Sequence, residues 1–221
     1  MTERNFYTMS SLCLHLYSLR ILKEDTLFLS LTLKSSTGYD KFYQFYKKFE
    51  RFMYHTLLLS SNAVPFEILN SDELVTSYTF DSEKNTGICH GFPIDTGLTV
   101  QELKLQPSTG CSFSLFESQE TKSLNQMVIV LLCSYIKELS LLSSSEKEIC
   151  RKDASRYKDL LTCLETKDQY AYQDLLLHSG RPVSSYDGPF RFLPLYNDHI
   201  SRKTNHYVRL ASSLETITRN N

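Results

Sequence analysis

The 221-residue sequence predicts an α+β fold that is mainly helical: an antiparallel helical bundle with a small β-sheet or meander, or, as the alternative, an all-α arrangement. Three observations predict it. The back half carries long apolar stripes at helical spacing, separated by start and stop signals. One front segment places leucine strictly at every second residue. The middle gathers turn formers and short strand-like runs.

The chain reads as a single globular domain over residues 1–221, with no internal repeat. It divides into a helix–strand–helix front (1–61), a β-rich middle (62–118), a helical bundle (119–180), and a loop with a terminal helix (181–221).

In the front, Phe6 to Lys23 is expected to be a helix, with Phe6, Met9, Cys13, Leu16 and Leu19 or Arg20 on one stripe. Leu27, Leu29, Leu31 and Leu33 then alternate with Phe28, Ser30 and Thr32, the period of a strand. Gly38 and Asp40 punctuate, Asp40 as a candidate N-cap, before the aromatic stretch "YDKFYQFYKKFERFMYH". At 100° per residue its phenylalanines Phe42, Phe45, Phe49 and Phe52 fall on one stripe with Tyr46, Met53, Thr56 and Leu57. The other face holds Asp40, Gln44, Lys47, Lys48, Arg51 and His55, flanked by Tyr43 and Tyr54.

The middle offers "ELVTSYTF", "LTVQELKL" and "CSFSLF" as short strands, with "DSEKNTG" as a turn. In the back, Leu124, Met127, Val128, Leu131, Leu132, Tyr135, Ile136, Leu139 and Leu142 form a broad apolar face, suited to a central helix. Ser145 to Glu148 and Thr166 to Gln169 read as capping boxes opening two further helices, and Gly180 with Pro182 as a stop. The first of these helices packs Ile149, Ala154, Tyr157, Leu160, Leu161 and Leu164. "NHYVRLASSLETI" is expected to be a last helix, packing Tyr207 or Val208, Leu210 or Ala211, Leu214 and Ile217.

Charge argues against a dedicated duplex-DNA binder: 24 basic residues face 25 acidic ones. The longest apolar run, "MVIVLLC", is far short of the ~20 residues of a spanning helix, so no membrane span is expected. The six cysteines form no C-x-x-C pair and three lie in helical apolar patterns. This points to a reducing compartment, cytoplasmic or nuclear.

Signatures of chemistry are sparse. Nucleotide-binding glycine loops, G-x-S-x-G and H-E-x-x-H are absent. Cys89, in "GICHGFPID", has the setting of a thiol on a turn. A neighbouring His90 diverges from it, so a base would have to come from His199 or His206. Asp198, His199 and His206 could meet at a metal with an open position or a fourth ligand; the plainer reading is two exposed histidines in a polar, basic tail. No catalytic residue, metal or cofactor is therefore assigned. In the loop 178–199, Arg181 and Arg191 could hold an acidic ligand, or Phe190, Phe192 and Leu195 could pack on the bundle.

The favoured function is a non-enzymatic intracellular interaction protein, an adaptor or complex subunit that binds a protein partner or itself. With 14 tyrosines and 13 phenylalanines the chain is rich in residues enriched at interfaces. Candidate partner- or phosphate-binding residues are Tyr43, Lys47, Lys48, Arg51, Tyr54, Arg181, Phe190, Arg191 and Phe192. The alternative is nucleic-acid binding by the basic, tyrosine-edged helix face. A Cys- or metal-dependent hydrolase stands third.

Overall fold

A computed structural model describes residues 2–33, 38–61, 63–108, 110, 112–142, 147–178 and 194–219. The described chain is mainly helical. It forms α1 (Glu3–Thr32), α2 (Gly38–Leu59), α3 (Phe66–Leu69), α4 (Thr79–His90), α5 (Thr96–Glu102), α6 (Leu115–Ser140), α7 (Lys147–Glu165), α8 (Gln169–His178) and α9 (Pro194–Arg219). No strand occurs among the described residues, where Val64 and Pro107 form an isolated bridge. The all-α alternative thus replaces the small sheet.

Helices α1, α2, α6 and α7 form the bundle, and their cross-links fix its directions. Along α1, Tyr7 meets Glu165, His15 meets Tyr157, and Asp25 meets Cys150, so α7 runs antiparallel to α1. Thr8 with Ser118 and Thr26 with Tyr135 run in the same sense, so α6 is parallel to α1. α2 doubles back along α1: Tyr46 clusters with Leu27 and Phe28, and Leu59 packs beside Leu12. Tyr135 is the hub, its ring at 5.0 Å from Phe45 and edge-on to Phe49 at 5.2 Å. Its hydroxyl shares a 2.7 Å hydrogen bond with Thr26.

The largest correction concerns Leu27 to Leu33: Leu27 to Thr32 continue α1 as helix and Leu33 is its C-cap. Every residue from Ser18 to Ser30 is buried. A helix covered on all sides has no wet face, so its apolar residues need not follow a 3.6 period. An accidental period of two then carries no strand information, and a helix already nucleated upstream extends at little cost.

The middle is helical for a related reason. The buried residues of α4 are Thr79, Ser82, Glu83 and Thr86, all polar. A helix that buries a polar face shows no apolar stripe. "DSEKNTG", expected as a turn, lies inside it, and Gly91 ends it with a left-handed φ of 61°. "ELVTSYTF" is a loop leading into α4, and much of "LTVQELKL" is α5, whose N-cap Asp95 accepts from the Gly97 amide at 2.9 Å. Of "CSFSLF", Ser112 and Phe113 lead to the N-cap of α6 at Ser114, and Leu115 and Phe116 open the helix. There Ser114 and Glu117 form a reciprocal capping box, with Glu117 N donating to Ser114 Oγ at 3.1 Å.

In α2 the stripe is buried as expected at Phe42, Phe45, Tyr46, Phe49, Met53, Thr56 and Leu57, with Phe52 half-buried. Asp40 lies in its first turn rather than at its N-cap. In α6 the expected face is buried apart from Met127, which turns outward, and the half-buried Ile136. Leu142, just past the helix, is also half-buried. The α7 stripe is buried apart from Ile149, which is half-buried. Asp168, not Thr166, caps α8, accepting from Ala171 N at 2.9 Å. Ser145, Gly180 and Pro182 lie outside the described residues. In α9, Val208 is exposed rather than packed.

Candidate functional site

α1 carries charge into the centre of the molecule. Arg20, Lys23, Glu24 and Asp25 occupy successive turns of its fully covered stretch, where only paired charges survive. Arg20 Nη1 donates to Glu24 at 3.1 Å and to Glu83 of α4 at 3.0 Å. Its Nη2 reaches Thr99 of α5 at 2.8 Å and pairs with Glu102. Lys23 joins Glu83 at 3.0 Å, and Thr99 donates to the other Glu83 oxygen at 2.5 Å.

From the opposite side, α9 supplies Asp198, His199, Arg202 and Lys203. Arg202 bridges Glu24 at 2.6 Å and Asp198 at 3.0 Å, and Asp198 also accepts from Thr79 at 2.8 Å and from Thr76. His199 lies between two carboxylates, Nδ1 at 2.7 Å from Glu24 and Nε2 at 3.1 Å from Asp25. Lys203 pairs with Asp153 of α7 at 2.6 Å.

The electrostatics follow from this packing. Burial works against a charged imidazole at His199, but Asp25 and Glu24 outweigh it and hold its pKa above the ordinary value. Burial likewise opposes ionisation of Glu24, yet Arg202 and His199 hold its carboxyl well below the usual range. Asp25 is held down by Lys203 and His199, and Glu83 by Lys23 and Arg20, again against burial. At Glu102, burial prevails over Arg20, and at Asp153 over Lys203, so both are raised. The cluster ties α4, α5, α7 and α9 to α1 through charges that already have partners.

A second network, centred on the neutral side chains His15 and Asn125, crosses the other end of the bundle. His15 Nε2 is 2.6 Å from Asn125 Oδ1, and its Nδ1 faces the Tyr157 hydroxyl. Asn125 Oδ1 can only accept, so the ring proton sits on Nε2 and Tyr157 donates to Nδ1. Burial pushes the His15 pKa down to about 4. Asn125 Nδ2 donates to Ser11 and to Glu165, both at 2.9 Å. A cavity of about 290 Å³ opens beside it, with Phe6, Tyr7, Lys122 and Glu165 in its wall.

The basic face of α2 lies apart from both networks. Lys47 bonds Glu50 at 2.6 Å, and its ammonium lies 5.8 Å from the Tyr43 ring. Tyr43 packs edge-on to Phe92 at 5.4 Å. Lys48, Arg51 and Tyr54 are exposed. Arg181, Phe190, Arg191 and Phe192 lie outside the described residues. Cys89 is exposed on the last turn of α4. His199 and His206, expected as exposed, are buried. His206 faces Glu73 at 2.6 Å and stacks on Tyr17 at 3.8 Å. Among the described residues, no group of three or more His, Cys, Asp or Glu is placed to hold a metal ion.

Sequence reading missed Arg20, Lys23, Glu24, Asp25, Glu83, Glu102, Asp153, Arg202 and Lys203. One signal was present: four charges packed into the six-residue run 20–25, set among the leucines, isoleucine and phenylalanine of residues 19–29. The i,i+4 pair Asp198 and Arg202 was another.

Over 108 residues, 48% of the chain, the sequence is 35% identical to the spore coat protein CotB of Clostridioides difficile (strain 630). The match covers 36% of that protein, so the chain spans about a third of the length of the relative it matches. No family model matches the chain. No solved structure matches it.

Proposed function

We propose that the chain is a non-enzymatic assembly protein, a helical bundle that acts by binding other protein chains as a subunit of a larger complex. One observation carries this reading: the usual distribution of side chains is inverted in part. Charges are drawn into the core, while large apolar side chains remain outside, among them Phe66 at 61% exposure, Tyr78 at 74% and Tyr170 at 88%. Exposed aromatic and aliphatic groups of this size favour protein contacts. The buried ionisable groups of α1 and α9, His199 and His206 among them, are engaged in internal pairs. The partial likeness to a spore coat protein is compatible with a non-enzymatic role. Analytical ultracentrifugation of the full chain over a wide concentration range tests the reading. Concentration-dependent association is expected, and a strict monomer that binds no other chain contradicts it.

Nucleic-acid binding is the second reading, favoured by the exposure of Lys48, Arg51 and Tyr54 on one helix face. It requires affinity that falls steeply with salt. Single-strand binding that is unchanged in a K48E/R51E variant would remove it.

A further inference from the structure

We propose that the outward face of α6 is the seam of a symmetric antiparallel dimer of this chain. The inference rests on the assembly reading above and names both the partner, a second copy, and the surface. Between Lys122 and Lys137 the exposed residues of α6 are Ser123, Gln126, Met127, Val130, Cys133 and Ser134, none of them charged. Val130 is 70% exposed and Met127 41%.

From Phe116 to Leu141 one outward stripe steps alternately by four and three residues: 116, 120, 123, 127, 130, 134, 137, 141; all are exposed except Glu120, which is half-buried. That is the a/d repeat of a coiled-coil seam. Antiparallel pairing sets each a position opposite a d position of the other helix. Placing the two-fold axis midway between Val128 and Ile129 makes every layer match. Met127 meets Val130, apolar on apolar. Ser123 meets Ser134, small on small. Glu120 meets Lys137, acid on base. Phe116, 66% exposed, meets Leu141, 70% exposed.

Other arrangements fail the same test. Parallel pairing sets Glu120 on Glu120 and Lys137 on Lys137. Sliding the antiparallel pair by one heptad sets Glu120 on Val130, or Lys137 on Met127. One register is therefore favoured and its competitors are penalised, which is how coiled coils select partners. Cys133 flanks the seam. In this register its two copies lie nine residues apart along the axis, ~14 Å at the helical rise. That is too far for a disulfide, so the dimer requires no oxidation.

The test uses the full chain. Sedimentation should show a dimer that V130E disrupts while the circular-dichroism melt stays close to that of the parent. E120K and K137E should each weaken dimerisation by roughly tenfold or more, through like charges set in contact. The double variant E120K/K137E should restore it. Register is read by cross-linking in a Cys133→Ser background. S123C and S134C should each form no intermolecular disulfide alone, their copies being ~16 Å apart along the axis. An equimolar mixture should give a disulfide mapped between positions 123 and 134. An association that survives V130E, or S134C cross-linking to itself, overturns the seam and leaves the assembly reading standing. A chain that stays monomeric and binds no other protein overturns both.

Discussion

Arg202 lies wholly buried between Glu24 and Asp198, and its loss would strand two carboxylates in a low-dielectric interior. Arg202→Met should therefore destabilise the fold by about 3–5 kcal/mol in urea unfolding. Removing the solvent-exposed Lys41 from its pair with the half-buried Glu138 by Lys41→Ala should cost no more than ~1 kcal/mol. Similar costs for the two would show that the buried cluster is not a structural lock. The histidines separate by pH. His15 has a folded pKa of about 4, below its ordinary 6.5, so the unfolded chain binds its proton first as the solution is acidified. Its contribution is complete above pH 6.5 and falls away towards pH 4, by on the order of 3 kcal/mol. His199 has the opposite sign. Its pKa is raised, so its contribution is complete below 6.5 and disappears as pH rises through the folded value. Unfolding free energies measured against pH should lose the acid slope in His15→Gln and the alkaline slope in His199→Gln.

At the scale of elements, the sequence was legible wherever a helix has one wet and one dry face. The stripes of α2 and α7 were readable because water on one side enforces a 3.6-residue period. Legibility failed where that contrast disappears. α1 is covered on all sides over thirteen residues, and α4 buries threonine, serine and glutamate in place of aliphatics. The buried charge cluster was hidden for the same reason, since its members look like a solvated tail until α9 is laid across α1. Met127 was assigned to the core because an apolar residue on a largely apolar helix gives no sign that it faces out. Local capping was recoverable: Ser114 and Glu117 carry the S-x-x-E spacing, which a strand reading of the preceding residues concealed. Ser114→Ala should lower stability by about 1 kcal/mol, measured by thermal melting, because the α6 N-terminus loses an acceptor for its free amide.

Across the whole molecule, the two networks divide the labour of holding one bundle together. The ionic cluster fastens the side layer of α4, α5 and α9 to α1, and the neutral His15–Asn125 chain joins α1, α6 and α7. No described helix is long and apolar enough to cross a membrane. The outer wall presents α6 with an uncharged centre and charges placed to answer one another about a two-fold axis. The account turns on that wall being used. Sedimentation velocity of the full chain, run beside its V130E variant over the same concentrations, tests this most directly. The account predicts a concentration-dependent dimer for the parent chain and a folded monomer for the variant. Identical sedimentation of the two, whether both monomeric or both associated, would contradict it.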